Sequence, residues 1–170
     1  MKKVLFVCHG NICRSPMAEY YFRHITAKAG LGDCVEVASA ALTADELGNP
    51  VYPLAKRMLA SKGIGCKGKV ARLMTAKDYD EFDYIVGMDQ ENLARLRHIA
   101  GADAKHKISL LLDHTPDTDK AHHCRDVADP WYTRKFDKAW SDITIGCDAL
   151  LEELKPVLAT ERPTAASQPS

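Results

Sequence analysis

Val4-Leu-Phe-Val-Cys8-His-Gly-Asn-Ile-Cys-Arg14-Ser15-Pro16 runs four apolar residues into a cysteine and ends where a helical pattern begins. The short run Val4 to Val7 has the apolar, β-branched and aromatic character of a parallel strand buried on both faces, which puts residue 8 at a strand's carboxyl end. Ser15 is a favoured N-cap and Pro16 a favoured first helical residue, and Met17, Tyr21, Ile25 and Ala29 recur at every fourth position. The stretch therefore reads as strand, tight loop and helix. Such a loop turns successive backbone N–H groups into one concavity, with the positive end of the helix macrodipole behind it. Gly10 reaches positive φ freely and Asn11 tolerates it, so the loop can curl around an anion without strain.

Cys8 opens this loop and Arg14 closes it. A nucleophilic thiolate needs positive surroundings, which a helix N-terminus and an arginine supply. The guanidinium is a planar fork matching two oxygens of a phosphate, and it stays charged throughout. The pair suits attack on phosphorus. The bare spacing carries little by itself, because Cys66-Lys-Gly-Lys-Val-Ala-Arg72 repeats it. That second copy has no apolar strand before it and no Ser-Pro helix start after it, so Cys66 reads as a structural cysteine.

The chain of 170 residues suits one domain, large enough to bury a core without disulfides or metal. Its 23 basic and 23 acidic residues are mixed along the chain. That pattern argues against a nucleic-acid partner and against a polybasic membrane patch. Two lysines precede an apolar run shorter than a secretory core and far short of a membrane span, so a cytoplasmic location is expected. The six cysteines lack the density of a disulfide scaffold and are expected to be mostly reduced.

Further along, a first helix is expected from Pro16 to about Ala29, closed by Gly30 and Gly32. Val35 to Ser39 reads as a second strand, at an edge because of Glu36. A loop over 40–53 is punctuated by Gly48, Asn49, Pro50 and Pro53. Leu54, Met58 and Leu59 mark a short helix, and a small helical segment follows around Asp78 to Phe82. Tyr84 to Met88 is a clear strand, and Asp89 can cap a helix running to about His98. Lys107 to Leu112 is the fourth strand, and the polar stretch 113–132 after it is of the long kind that is usually functional. A last helix is expected over Arg134 to Leu158, with Phe136, Trp140, Ile143, Cys147, Leu150, Leu151, Leu154 and Leu158 on one face. Residues 1–159 form one domain, and the Pro-, Thr- and Ser-rich residues 160–170 read as a disordered tail. The alternation predicts an α/β fold, a mostly parallel four-stranded sheet with helices on both faces. Ligands in such sheets bind beyond the carboxyl ends of the strands, where the Cys8 loop and the stretch 113–132 can meet.

A thiolate that displaces a phenolate from phosphorus needs a separate acid to protonate the leaving oxygen. Asp126 and Asp129 are the candidates. Asp129-Pro-Trp-Tyr132 is the better one, since proline stiffens the turn and two aromatics give an apolar surround in which an acid keeps its proton.

Cys8-His-Gly-Asn-Ile-Cys-Arg-Ser-Pro-Met-Ala-Glu19 together with Asp129-Pro-Trp-Tyr132 resembles the low-molecular-weight protein tyrosine phosphatase family. The similarity extends through Ser39-Ala, Gly48-Asn-Pro, Val70-Ala-Arg, Phe82-Asp-Tyr-Ile and Met88-Asp, nearly everything except the tail. The resemblance implies a phosphatase of Rossmann-like fold, with a phosphate-binding loop after the first strand. In it Cys8 is the nucleophile, Arg14 clamps the phosphoryl oxygens, and Asp129 acts first as acid and then as base. His9, Gly10, Asn11, Ile12, Cys13 and Ser15 line the phosphate site. The Ser15 hydroxyl bonds the Cys8 thiolate, and Asn11 holds the loop through contacts that include Ser39. Cys13 can form a reversible disulfide with Cys8 under oxidation. Trp131 and Tyr132 contact the substrate ring. A bulky Ile12 is similar to phosphotyrosine enzymes, whereas threonine there is associated with phosphoarginine enzymes. The resemblance thus implies phosphotyrosine proteins as substrates, inorganic phosphate as product, a phosphocysteine intermediate, and neither metal nor organic cofactor.

Two positions depart from the family pattern. Lys69 stands where the family usually has a histidine that braces the loop asparagine. Asp45 stands where the family has an aromatic walling the substrate cleft.

Other readings are weaker. Thioredoxin-coupled arsenate reductases share the fold and loop, but they pair two redox cysteines in mid-chain, where Cys66 stands without a second through residue 100. A cysteine phosphorelay module needs no acid, which Asp129 argues against. His122, His123 and Cys124 match no common zinc spacing.

Overall fold

The computed structural model describes residues 1–116 and 125–163. Four strands, β1 (Lys2–Cys8), β2 (Val35–Ala41), β3 (Tyr84–Gly87) and β4 (Ile108–Leu110), form one sheet in the order β2-β1-β3-β4. All three pairings are parallel, with Cys8 opposite Ala41 and Phe6 opposite Val86. Among the described residues six helices pack around it: α1 (Arg14–Lys28), α2 (Pro53–Ser61), α3 (Ala76–Glu81), α4 (Gln90–Ala100), α5 (Pro130–Thr133) and α6 (Phe136–Ala159).

Side chains alternate across a strand, so β1 feeds two cores. Val4, Phe6 and Cys8 face one layer with Met17 and Phe22 of α1 and Ile143, Leu150 and Leu154 of α6. Leu5 and Val7 face the other with Tyr79 of α3, Phe82, and Leu96 of α4. Both faces of the central strand are dry, which is why its sequence is an unbroken apolar run. Phe6 meets Phe22 edge-on with ring centroids 5.6 Å apart. Gly146 lets α6 press on the turn after β4, since a Cβ there would stand 2.5 Å from Leu111.

Several boundaries differ from the sequence reading. The first helix begins at Arg14, and Cys13 rather than Ser15 occupies its N-cap with no side-chain cap bond. Ser15 lies inside the helix, because its hydroxyl is used elsewhere. The second strand runs on to Ala41, and Ala41 exchanges backbone bonds with Arg72 and Met74 in the following loop. The fourth strand stops at Leu110, where Leu111–His114 tightens into a 3₁₀ turn. The expected loop 113–132 contains α5, and its residues 117–124, including His122, His123 and Cys124, lie outside the described residues. Of the expected tail, Glu161 stays against the body through the Met1 amino group and, at 3.9 Å, Lys2. Residues 164–170 lie outside the described residues.

The strand order carries the functional geometry. The chain goes from β1 outward to β2 and then crosses back to β3 on the other side, so the sheet's switch point lies between β1 and β3. The loops leaving those two strands, at Cys8 and at Met88-Asp89, therefore stand side by side.

Candidate active site

Residues 8–14 curl between β1 and the uncapped start of α1. Asn11 makes the curl at φ 59°, one of four positive-φ non-glycine positions among the described residues. An asparagine fits because it tolerates that conformation and offers donors and an acceptor at once. Its amide nitrogen donates to Ser15 Oγ at 2.8 Å and Ser39 Oγ at 2.9 Å. Its oxygen accepts from the Arg72 backbone N–H at 3.3 Å. Ser15 Oγ in turn lies 3.0 Å from Cys8 Sγ. Since Ser15 accepts from Asn11, its own proton is free to be donated to the sulfur.

Lys69 holds this network from behind. Its ammonium donates to the Ser39 carbonyl at 3.0 Å and stands 3.7 Å from the buried Glu19 carboxylate. Burial draws the Lys69 amine below its ordinary pKa, with Glu19 opposing. Bracing of Asn11 thus comes from the Arg72 backbone and from Ser39, with Lys69 fixing Ser39.

Arg14 is 2% exposed and held on three sides. Its Nη1 donates to Asp89 Oδ2 at 2.6 Å and to the Val127 carbonyl at 2.8 Å, and Nη2 reaches Asp129 Oδ2 at 3.4 Å. Burial works against the charged guanidinium, but the negative charge of Cys8, Asp129 and Asp89 outweighs it and raises the Arg14 pKa. Asp89 also caps α4, accepting from Asn92 N–H at 2.8 Å, so one carboxylate anchors to a helix and aims Arg14.

Asp129 arrives on the segment after β4. Buried Val127 ties that segment to β3 through its N–H and the Met88 carbonyl, 2.8 Å apart. Asp129 caps α5 by accepting from Trp131 N–H at 3.0 Å, with Pro130 opening the helix. Asp126 accepts from the Gln90 N–H at 3.1 Å, which turns it toward α4.

These groups enclose a pocket of about 120 Å³ lined by Cys8, the loop through Arg14, Asp45, Glu46, Asp129, Trp131 and Tyr132. Trp131 meets Tyr52 edge-on at 5.0 Å, while Tyr132 is 78% exposed at the mouth. Asp45 lines the wall and bonds His9 Nε2 at 2.7 Å. Cys13 is buried below the loop, and burial together with the charges of Cys8 and Asp129 pushes its thiol pKa well up. Cys66 lies apart from the pocket, and its partner in spacing, Arg72, is paired with Asp78 at 3.0 Å.

Sequence reasoning treated Asp89 as a helix cap only. The signal was available, because Asp89 follows a strand's carboxyl end as Cys8 does; what was lacking was the order of the strands. The support from Glu19 and Lys69 and the His9 to Asp45 bond had no local signature.

The profile of the family described as Low molecular weight phosphotyrosine protein phosphatase matches residues 3–159. The chain is 43% identical over 155 residues to "Low molecular weight protein-tyrosine-phosphatase YfkJ" of Bacillus subtilis, covering 91% of this chain and 97% of that protein. It is 35% identical over 156 residues to the human low molecular weight phosphotyrosine protein phosphatase, covering 89% and 95%. The crystal structure of YfkJ superposes with a TM-score of 0.86 at 42% identity, covering 92% and 96% of the two chains. That of a Drosophila arginine phosphatase superposes at 0.80 with 33% identity, covering 91% and 98%.

Proposed function

The chain belongs to the low molecular weight phosphotyrosine protein phosphatase family and is a protein tyrosine phosphatase, and from that premise we propose that Cys8, Arg14 and Asp129 carry its reaction. The Cys8 thiolate attacks phosphorus in line with the leaving oxygen. The P–O bond to the tyrosine breaks, an S–P bond forms, and the Asp129 carboxyl gives its proton to the departing phenolate. Arg14 and the loop N–H groups hold the equatorial oxygens as charge redistributes. Water then attacks the phosphocysteine with its proton going to the Asp129 carboxylate, the S–P bond breaks, and inorganic phosphate leaves. The Ser15 hydroxyl stabilises the thiolate that departs.

The observation that carries this reading is the convergence on one pocket of Cys8 and Arg14, from the loop after β1, with Asp129, from the segment after β4. Ile12 at the pocket wall supports phosphotyrosine over phosphoarginine. We place the enzyme in the cytoplasm, acting on tyrosine-phosphorylated proteins. In support, Cys8, Cys13, Cys34, Cys66 and Cys147 are all unpaired, and among the described residues no helix is long and apolar enough to cross a membrane.

The test is Cys8→Ser. Turnover of an aryl phosphate should vanish while phosphate binding by calorimetry persists, and activity above a few per cent of wild type would overturn the assignment. Phosphotyrosine, phosphoarginine and phosphoserine peptides, assayed beside arsenate reduction, separate the substrate classes.

A further inference from the structure

His9 turns its ring away from the phosphate loop to the rim, where it lies between two carboxylates. Its Nε2 is 2.7 Å from Asp45 Oδ2, and its Nδ1 is 4.0 Å from Glu91 Oε1. Asp45 is 65% exposed and Glu91 66%, so both charges face solvent at the mouth. Glu46 lines the same wall, its chain packed 3.2 Å from where a Cβ on Gly10 would stand and its carboxylate bonded by Asn49. Arg95 offsets Glu91 at 3.4 Å. Among the described residues no lysine or arginine pairs with Asp45 or Glu46. The His9 hydrogen bond holds the Asp45 pKa below the ordinary carboxylate value, so Asp45 is charged at neutral pH.

The facing wall is different in kind. Trp131 and Tyr132 are neutral, and Arg134 is directed to the Tyr52 hydroxyl at 3.2 Å. The cleft thus has an aromatic side and a negative side, with the dianion site between them at the floor. A phosphorylated ring inserted to the floor leaves its neighbouring residues on the rim, within reach of that negative side.

We propose that the wall formed by His9 and Asp45, with Glu46 and Glu91 beside it, is a charge filter that favours phosphotyrosine flanked by lysine or arginine over phosphotyrosine flanked by aspartate or glutamate. The proposal rests on the reading of the pocket as a phosphotyrosine site. His9 acts by orienting Asp45 along the rim, and the carboxylates act on residues beside the phosphotyrosine rather than on the phosphoryl group. Such binding is shared by ground and transition states, so the preference belongs in KM. Exposed pairs are each weak, and two or three together give roughly a three- to tenfold preference at low salt that shrinks as the Debye length falls.

The experiment uses three phosphotyrosine peptides of one sequence with lysine, alanine or glutamate on both sides, and p-nitrophenyl phosphate as a substrate without flanks. Turnover is measured in the wild type, Glu91→Gln and the Asp45→Asn/Glu91→Gln double variant, at low salt and at about 0.5 M NaCl. Peptide Kd is measured in Cys8→Ser by fluorescence anisotropy. The lysine peptide should have the lowest KM and Kd, and the glutamate peptide the highest. The spread should narrow in high salt and again in the double variant, with Glu91→Gln unchanged on p-nitrophenyl phosphate. Equal Kd for the three peptides, or a spread that survives the double substitution, would overturn the filter while leaving the phosphatase reading intact. Failure to hydrolyse p-nitrophenyl phosphate would sink the site reading and the filter with it.

Discussion

Asp89 and Arg14 lie 75 residues apart in the chain and 2.6 Å apart in space, one after β3 and the other at the start of α1. The same carboxylate caps α4 through Asn92. The clamp's orientation therefore depends on a residue that need not touch substrate.

Substitution separates the two duties of Asp89. Asp89→Asn keeps an oxygen for the cap but removes the charge facing Arg14, and kcat/KM for an aryl phosphate is expected to fall roughly tenfold or more from misplacement of the guanidinium. Asp89→Ala should lose the cap as well, at a cost of about 1 kcal/mol in unfolding free energy. Equal kcat/KM for Asp89→Asn and wild type would show that the Val127 carbonyl and Asp129 suffice to aim Arg14.

Asp129 and Asp126 should respond differently to the same change. Asp129→Asn is expected to lose on the order of 10²–10⁴-fold with phenyl phosphate and much less with an activated leaving group that needs no proton. Asp126→Asn, whose carboxylate receives the Gln90 N–H, should be mild. Rates plotted against leaving-group pKa decide it, and parallel losses for good and poor leaving groups would make Asp129 a structural residue.

Cys13 is buried with its thiol pKa pushed up, so it is expected to stay a thiol while Cys8 meets oxidants. A sulfenic acid on Cys8 can condense with Cys13, releasing water and forming a disulfide. Peroxide inactivation should be reversed by dithiothreitol in the wild type and become largely irreversible in Cys13→Ser. Full recovery of that variant would remove the resolving role.

The Asp78 carboxylate ties α3 to the segment that braces Asn11. Burial would raise its pKa, but the Arg72 guanidinium at 3.0 Å and the Thr75 N–H outweigh that and hold it below the ordinary 3.8. A lowered folded pKa stabilises above the unfolded value and is lost as pH falls through the folded one. Asp78→Asn should therefore cost stability at pH 7, about 1 kcal/mol or less given the exposure of Arg72, with the deficit closing as pH falls below 3.8. Thermal midpoints across pH check it, and a deficit that widens in acid would contradict the pairing.

Local pattern sufficed for the parts of this protein that are local. The apolar run of β1, the left-handed Asn11 and the proline in the first turn of α1 are consequences of residue identity within a few positions, and they place Cys8 and Arg14 in one loop before any tertiary contact is known. The α/β beat and the edge position of β2 were legible for the same reason. Ser15 was misread as a cap because a hydroxyl's choice between a backbone N–H and a thiol is made by what stands opposite it. The early end of β4 at Leu110 and the helix within 130–133 were missed, since the 3₁₀ turn and the Asp129 cap depend on packing against α6 and Arg14. Only the strand order β2-β1-β3-β4 could bring Asp89 to Arg14, Lys69 to Ser39 and Asp45 to His9. Those contacts span 75, 30 and 36 residues, and hydrophobic periodicity says which face of a strand is buried but not which strand lies beside it.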